Sequence, residues 1–63
     1  MIIIDDLQIM AQRYDNVEDA KNALKKDEVV VKDTENNYWV IDSENYVKIE
    51  AYGYTKIEEG TSN

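Results

Sequence analysis

Residues 28–57, EVVVKDTENNYWVIDSENYVKIEAYGYTKI, decide how this chain is read. Val29-Val30-Val31 is a β-branched run that opens a strand, and Tyr38–Asp42 and Tyr46 to about Ile57 continue in the same vein. Between them stand two near-identical segments, Asp33-Thr34-Glu35-Asn36 and Asp42-Ser43-Glu44-Asn45. Each supplies a three-residue hairpin loop (Thr34–Asn36, then Ser43–Asn45) that ends on Asn, a residue tolerant of the left-handed conformation such a loop requires. That register sets Val31 opposite Trp39, Val29 opposite Ile41, Ile41 opposite Val47 and Trp39 opposite Ile49. One face then collects Val29, Val31, Trp39, Ile41, Val47, Ile49 and Ala51, wholly apolar, and this is the expected core. A two-residue loop would shift one pairing by a residue and turn Trp39 and Ile41 away from Val47 and Ile49. Gly53 marks a bulge or bend in the last strand.

The residues ahead of this stretch read as cover for the apolar face. Asp5 with Gln8 forms a capping-box variant, and Ile4 and Ile9 stand at hydrophobic-staple positions. Leu7, Met10, Ala11 and Tyr14 then follow at helical spacing. Leu7, Ile9 and Ala11 also alternate as a strand would, but Leu, Gln, Met, Ala and Arg favour helix, so helix is the expectation. A second helix starts at Asn16 as cap, with Glu18 and Asp19 in its first turn and Lys25 and Lys26 in its last, as the macrodipole favours. Its apolar stripe is Val17, Ala20 and Leu24, with Ala23 beside it. Ile2–Ile4 is either an edge strand or an apolar lead-in. The expected fold is therefore two-layer α+β: two short helices on one face of a three-stranded antiparallel meander, ααβββ. Residues 1–57 form one domain, and 58–63 form a disordered tail without an apolar residue.

Composition narrows the chemistry. A 63-residue chain buries only about 60% of its unfolded surface, so its stability is marginal and self-association is one way to raise it. It has no Cys and no His, which removes disulfides, thiolate metal sites, and the commonest general base and transition-metal ligand. The Asp-x-Glu-Asn clusters offer oxygen ligands, but the Gly and bidentate Glu of a calcium loop are missing from them. No metal, cofactor or catalytic residue is assigned, and an enzyme is not expected. The short apolar start lacks a basic flank, and no run approaches a membrane span, so a cytoplasmic protein is expected.

Fourteen acidic against seven basic residues give a net charge of −7. Such a field repels nucleic acid and anionic membranes and favours basic partners. Four acids, Asp5, Asp6, Glu18 and Asp19, have local helix-start reasons to exist, and part of the surplus serves solubility. The turn acids lie at opposite ends of a meander, yet Asp27 and Glu28 stand where they join Asp42 and Glu44.

The sheet face turned away from the helices should show Val30, Lys32, Tyr38, Val40, Asp42, Tyr46, Lys48, Glu50, Tyr52 and Tyr54. Tyrosines interleaved with charges around an apolar centre suit a protein interface, although cross-strand pairing alone can produce the same pattern. The candidate partner-binding residues are Val30, Tyr38, Val40, Asp42, Glu44, Tyr46, Lys48, Tyr52 and Tyr54. The function expected from this is a small acidic, non-catalytic protein-binding module. It would be an inhibitory or regulatory accessory protein of phage or mobile-element type, acting as a nucleic-acid mimic on a basic, nucleic-acid-handling partner. The alternatives are a homodimer stacked through Val30, Tyr38, Val40 and Tyr46, and a winged-helix-like DNA-binding regulator. The second predicted helix, mixing Glu18, Asp19, Lys21, Lys25 and Lys26, has no array for reading base edges.

Overall fold

The hairpin of β4 (Glu28–Lys32) and β5 (Tyr38–Asp42) is the centre of the molecule. It is seen in a computed structural model that describes residues 1–60. Its register is the expected one, with Val31 against Trp39 and Val29 against Ile41. Asn36 takes φ +67°, the left-handed residue the three-residue loop requires. The Asp33 carboxylate organises that loop. It accepts the Glu35 and Asn37 backbone N–H groups at 2.8 and 2.9 Å, Asn37 Nδ2 at 3.2 Å and the Trp39 indole Nε1 at 3.0 Å. Partial burial alone would raise the Asp33 pKa, but these donors outweigh it and hold the carboxyl below its ordinary value.

Four strands form the main sheet in the order β3-β5-β4-β6, every neighbouring pair antiparallel. β3 is Ala11–Tyr14 and β6 is Thr55–Glu59. Helix α1 (Val17–Ala23) links β3 to β4, and α2 (Ser43–Ile49) with the 3-10 turn Glu50–Tyr52 links β5 to β6. Each connection skips one strand, so the plan is two split β-α-β crossovers sharing a central hairpin. A second, two-stranded ribbon of β1 (Ile2–Ile4) and β2 (Leu7–Ile9) precedes them. The α+β class, two helices and antiparallel pairing hold, while the arrangement differs from ααβββ in three places.

First, residues 5–14 form no helix: a turn at Asp5-Asp6 leads into the strands Leu7–Ile9 and Ala11–Tyr14. Asp5 is a hairpin-turn residue at φ +52°, and Ile2 pairs with Ile9 and Ile4 with Leu7. The alternation of Leu7, Ile9 and Ala11 prevails because Ile2 and Ile4 give it a β-branched partner strand and a common buried face.

Second, the two D-[ST]-E-N segments diverge. Asn37 follows the first and binds Asp33 through both its backbone and its side chain. Tyr46 follows the second and has no side-chain amide to offer; Asp42 makes no capping bond and Ser43 begins α2. The pairings of Ile41 with Val47 and Trp39 with Ile49 therefore do not form. Tyr46 and Ile49, three apart on a helix, face the core instead, and Val47 is 66% exposed.

Third, Gly53 at φ +94° is the left-handed cap that ends the 3-10 turn. The chain then returns as β6 beside β4, with a bulge between the Val30 and Val31 pairings. Glu58 and Glu59 belong to this strand, whereas the sequence puts them in the tail; of that tail, residues 61–63 lie outside the described residues.

Both sheet faces are covered. Val29, Val31, Trp39 and Ile41 pack with Ile49 and Tyr46 of α2 and with Ile2, Ile4, Leu7 and Ile9 of the ribbon. On the other face Val30 and Val40 pack under Ala20 of α1 and Leu24 just after it, flanked by Tyr14 and Tyr38. α1 has the expected cap, Asn16 accepting the Asp19 N–H at 2.9 Å, but it stops at Ala23, so Lys25 and Lys26 lie beyond it. It also lies opposite the face expected: Trp39 and Leu24 are on different sides of the sheet. Three consecutive valines, each at most 1% exposed, are the reason, because a strand buried on both sides reads as an unbroken apolar run.

Candidate functional site

The open tyrosine face does not exist as a surface. Val30 is fully buried and Val40 is 6% exposed, both beneath α1, with Tyr38 half-buried beside them. Tyr46 and Tyr54 are half-buried against the opposite cluster. Lys48 and Tyr52 are exposed on α2 and the turn after it. These seven residues, expected on one face, thus sit in three places. Val30 and Val40 are corrected from interface to core, and stacking of two copies through them is sterically closed by α1. Tyr54 lies near the hairpin loop, where burial first, and then the charges of Asp33 and Glu35, push its hydroxyl above the ordinary phenol value.

What the fold does bring together is the acidic end. The strand directions place the C-terminus of β5, the N-termini of β4 and α2 and the end of β6 side by side. Glu28 pairs directly with Asp42 across the sheet. Asp27, in a turn at φ +66°, gives its carbonyl to both the backbone N–H and the hydroxyl of Ser43, at 2.9 and 2.8 Å. Asp27, Asp42, Ser43 and Glu44 consequently line one cavity of about 280 Å³. The convergence of Asp27 and Glu28 on Asp42 and Glu44 is the part of the expected site that the fold assembles. Among the described residues, no Lys or Arg nitrogen lies within 4.0 Å of Asp27, Asp42 or Glu44; the three ion pairs formed are elsewhere. Three like charges lining one cavity at a sheet end, without an ion pair among the described residues, make this end a negative pole of an acidic molecule.

Beside that cavity runs a groove of about 500 Å³ that sequence reasoning missed. It lies between the C-terminal half of α1 and strands β3 and β5, and its lining is mixed: Met10, Tyr14 and Leu24 beside Gln12, Asn22, Lys25, Glu28 and Asp42. Met10 is 74% exposed there. Reading residues 7–14 as a helix hid it, since a helix places Met10 on the apolar stripe; strand alternation turns it out between the buried Ile9 and the half-buried Ala11.

Polar backbone bonds tie this end down. Gly60 N–H donates to the Glu28 carbonyl at 2.8 Å, and Lys25 N–H donates to Glu28 Oε1 at 2.9 Å. A Cβ on Gly60 would meet the Lys25 carbonyl oxygen at 2.0 Å, so only glycine allows this approach. Among the described residues no group of three or more acidic side chains has the geometry to hold a metal ion, and no helix is long and apolar enough to cross a membrane. In comparisons with known proteins, no family model, no curated protein and no solved structure matches this chain.

Proposed function

We propose that this chain is a small acidic, non-catalytic protein-binding module that engages a basic, nucleic-acid-handling protein and inhibits or regulates it. One observation carries the reading: Asp27, Asp42 and Glu44 line one cavity, and among the described residues none of them forms an ion pair. Glu44 has a helix-start reason to stand there, in the first turn of α2, but Asp42 makes no capping bond, and among the described residues neither it nor Asp27 forms an ion pair. The overall charge of −7 adds fast, salt-sensitive capture of a basic surface. The same carboxylates then occupy positions that phosphates take on the partner, which is how such a module competes with nucleic acid. Its small size, and its lack of Cys and His, fit an accessory protein of phage or mobile-element type working in the cytoplasm.

The experiment is competition. A basic nucleic-acid-binding protein is captured on the immobilised chain at about 0.05 M salt, released at about 0.5 M, and then assayed for nucleic-acid binding with the chain present. Wild type should displace the nucleic acid, and Asp42→Asn with Glu44→Gln should not, with unchanged thermal stability. Equal displacement by the double variant refutes the reading.

A further inference from the structure

β6 is an edge strand whose open side carries a fixed pattern. It pairs with β4 on one side, no strand among the described residues pairs with it on the other, and all five of its residues are exposed. We propose that two copies of this chain join antiparallel along β6, across a two-fold axis between Ile57 and Glu58, so that their four-stranded sheets run on as one.

The pairing register decides which backbone groups of β6 point outward. In an antiparallel ladder, alternate residues turn their N–H and C=O groups to the same neighbour. The Gly60 N–H bonds the Glu28 carbonyl, so Glu28, Val30 and Lys32 face β6, while Val29 and Val31 face β5. The bond from the Asp33 N–H to the Asn37 carbonyl, at the far end of the hairpin, gives the same phase. Opposite Val29 and Val31 on β6 stand Glu59 and Lys56. The backbone groups of these two therefore point away from β4, to the open side. Without the bulge between the Val30 and Val31 pairings, Ile57 would stand opposite Val31 instead. The bulge thus makes the two outward residues a glutamate and a lysine.

A two-fold axis matches this edge to itself. Lys56 of each copy lies opposite Glu59 of the other, in an isologous contact. Each pair turns its backbone groups toward one another and can exchange two N–H···O bonds. The two side chains share a sheet face, since Lys56 Nζ reaches Glu59 Oε1 at 3.9 Å within one chain. Joining trades that internal ion pair for two across the axis and strands no charge. Glu58 keeps Lys21 of α1, 3.8 Å away. Ile57, 40% exposed, stands at the axis. Bulges and charged side chains ordinarily blunt an edge against pairing. Here a slip of one residue would set outward groups against inward ones, so they select a second β6 in one register. The contact is smaller than a stable interface, and a weak, transient dimer is expected.

The test mixes isotope-labelled with unlabelled protein at millimolar concentration and records NMR contacts between copies. Contacts from Ile57 to Glu58 of the other copy are expected. The Lys56 and Glu59 amides should shift, and their hydrogen exchange slow, as concentration rises, and diffusion should fall toward that of a body twice 7.3 kDa. Monomer diffusion throughout, or contacts between copies at β3 or at Ile3 and Met10, would overturn the proposal.

Variants test the register. Glu59→Pro removes an N–H that points away from β4, so protection of the β4–β5 amides should persist while the concentration dependence is lost. Lys56→Glu sets acid opposite acid twice and should weaken association by about tenfold. Adding Glu59→Lys should restore it, because the axis then pairs the same residues with their signs reversed. No restoration, with the β4–β5 amides still protected, would overturn the register even if Glu59→Pro failed to fold. The exchanged variant keeps the net charge of −7 and leaves Asp27, Asp42 and Glu44 in place, so its capture of a basic protein tests the acidic reading separately.

Discussion

Removing the Asp33 carboxylate should cost this protein a large fraction of its stability. Asp33→Ala deletes the acceptor for two backbone N–H groups, one amide and the Trp39 indole. Losing a side-chain cap on backbone donors costs about 1 kcal/mol. Stranding a partly buried indole N–H adds about 1–2 kcal/mol, the lower part of the usual range because Trp39 is only half-buried. The total of about 2–3 kcal/mol compares with a global stability of about 3–9 kcal/mol for a chain this long. At about 4–8 °C per kcal/mol, Tm should fall by roughly 10–20 °C. Asp33→Asn should be nearly as costly, since whichever way its amide lies, an N–H group faces another donor. The assay is urea unfolding followed by far-UV circular dichroism, because Trp39 is the only tryptophan and is itself removed in the double-mutant cycle with Trp39→Phe. A coupling energy of about 1 kcal/mol between the two sites is expected. The pH dependence has a definite sign. With its native pKa lowered, Asp33 contributes stability above the unfolded carboxylate value, about 3.9, and loses it as the pH falls through the lower native value. The gap between wild type and Asp33→Asn should therefore be widest near neutrality and shrink below about pH 4. Additive single variants, or Asp33→Ala within about 0.5 kcal/mol of wild type, would refute the account of this loop.

Three further outcomes follow from particular contacts. Val47→Glu should change stability by less than about 0.5 kcal/mol and Ile49→Ala should cost about 2–5 kcal/mol, because α2 exposes the first and buries the second; comparable costs in thermal melts would restore the strand reading of this segment. Gly60→Ala should loosen the end of β6 where it approaches Lys25, seen as faster hydrogen exchange at the Gly60-equivalent and Glu59 amides while the β4–β5 amides are unchanged; protection equal to wild type would count against the close approach. Tyr54 should titrate above ordinary tyrosine in ultraviolet absorbance, and Asp33→Asn should lower its pKa by removing one of the charges that raise it; no movement would place that charge elsewhere.

Local chemistry determined the parts that need only a few neighbouring residues. The Val29–Ile41 register, the left-handed Asn36 and the Asn16 cap depend on turn and cap preferences within a handful of positions, and all three were legible. So was the approach of Asp27 and Glu28 to Asp42, which follows from that hairpin alone, whereas Glu44 reaches the same end on α2 and not in the second turn expected. The tertiary structure decided the rest. Asp5–Gln8 satisfied helix-cap rules and hairpin rules alike, and the choice fell to the strand just before it, Ile2–Ile4, whose side chains share the packed core with Leu7 and Ile9. Two copies of one four-residue motif took different forms because Asn37 followed one and Tyr46 the other, and only the packed core rewarded turning Ile49 inward on a helix. Which face α1 would cover was not written in α1. It was written in Val30 and Val40, whose burial required a second layer, and the groove beside α1 is what that short layer leaves uncovered.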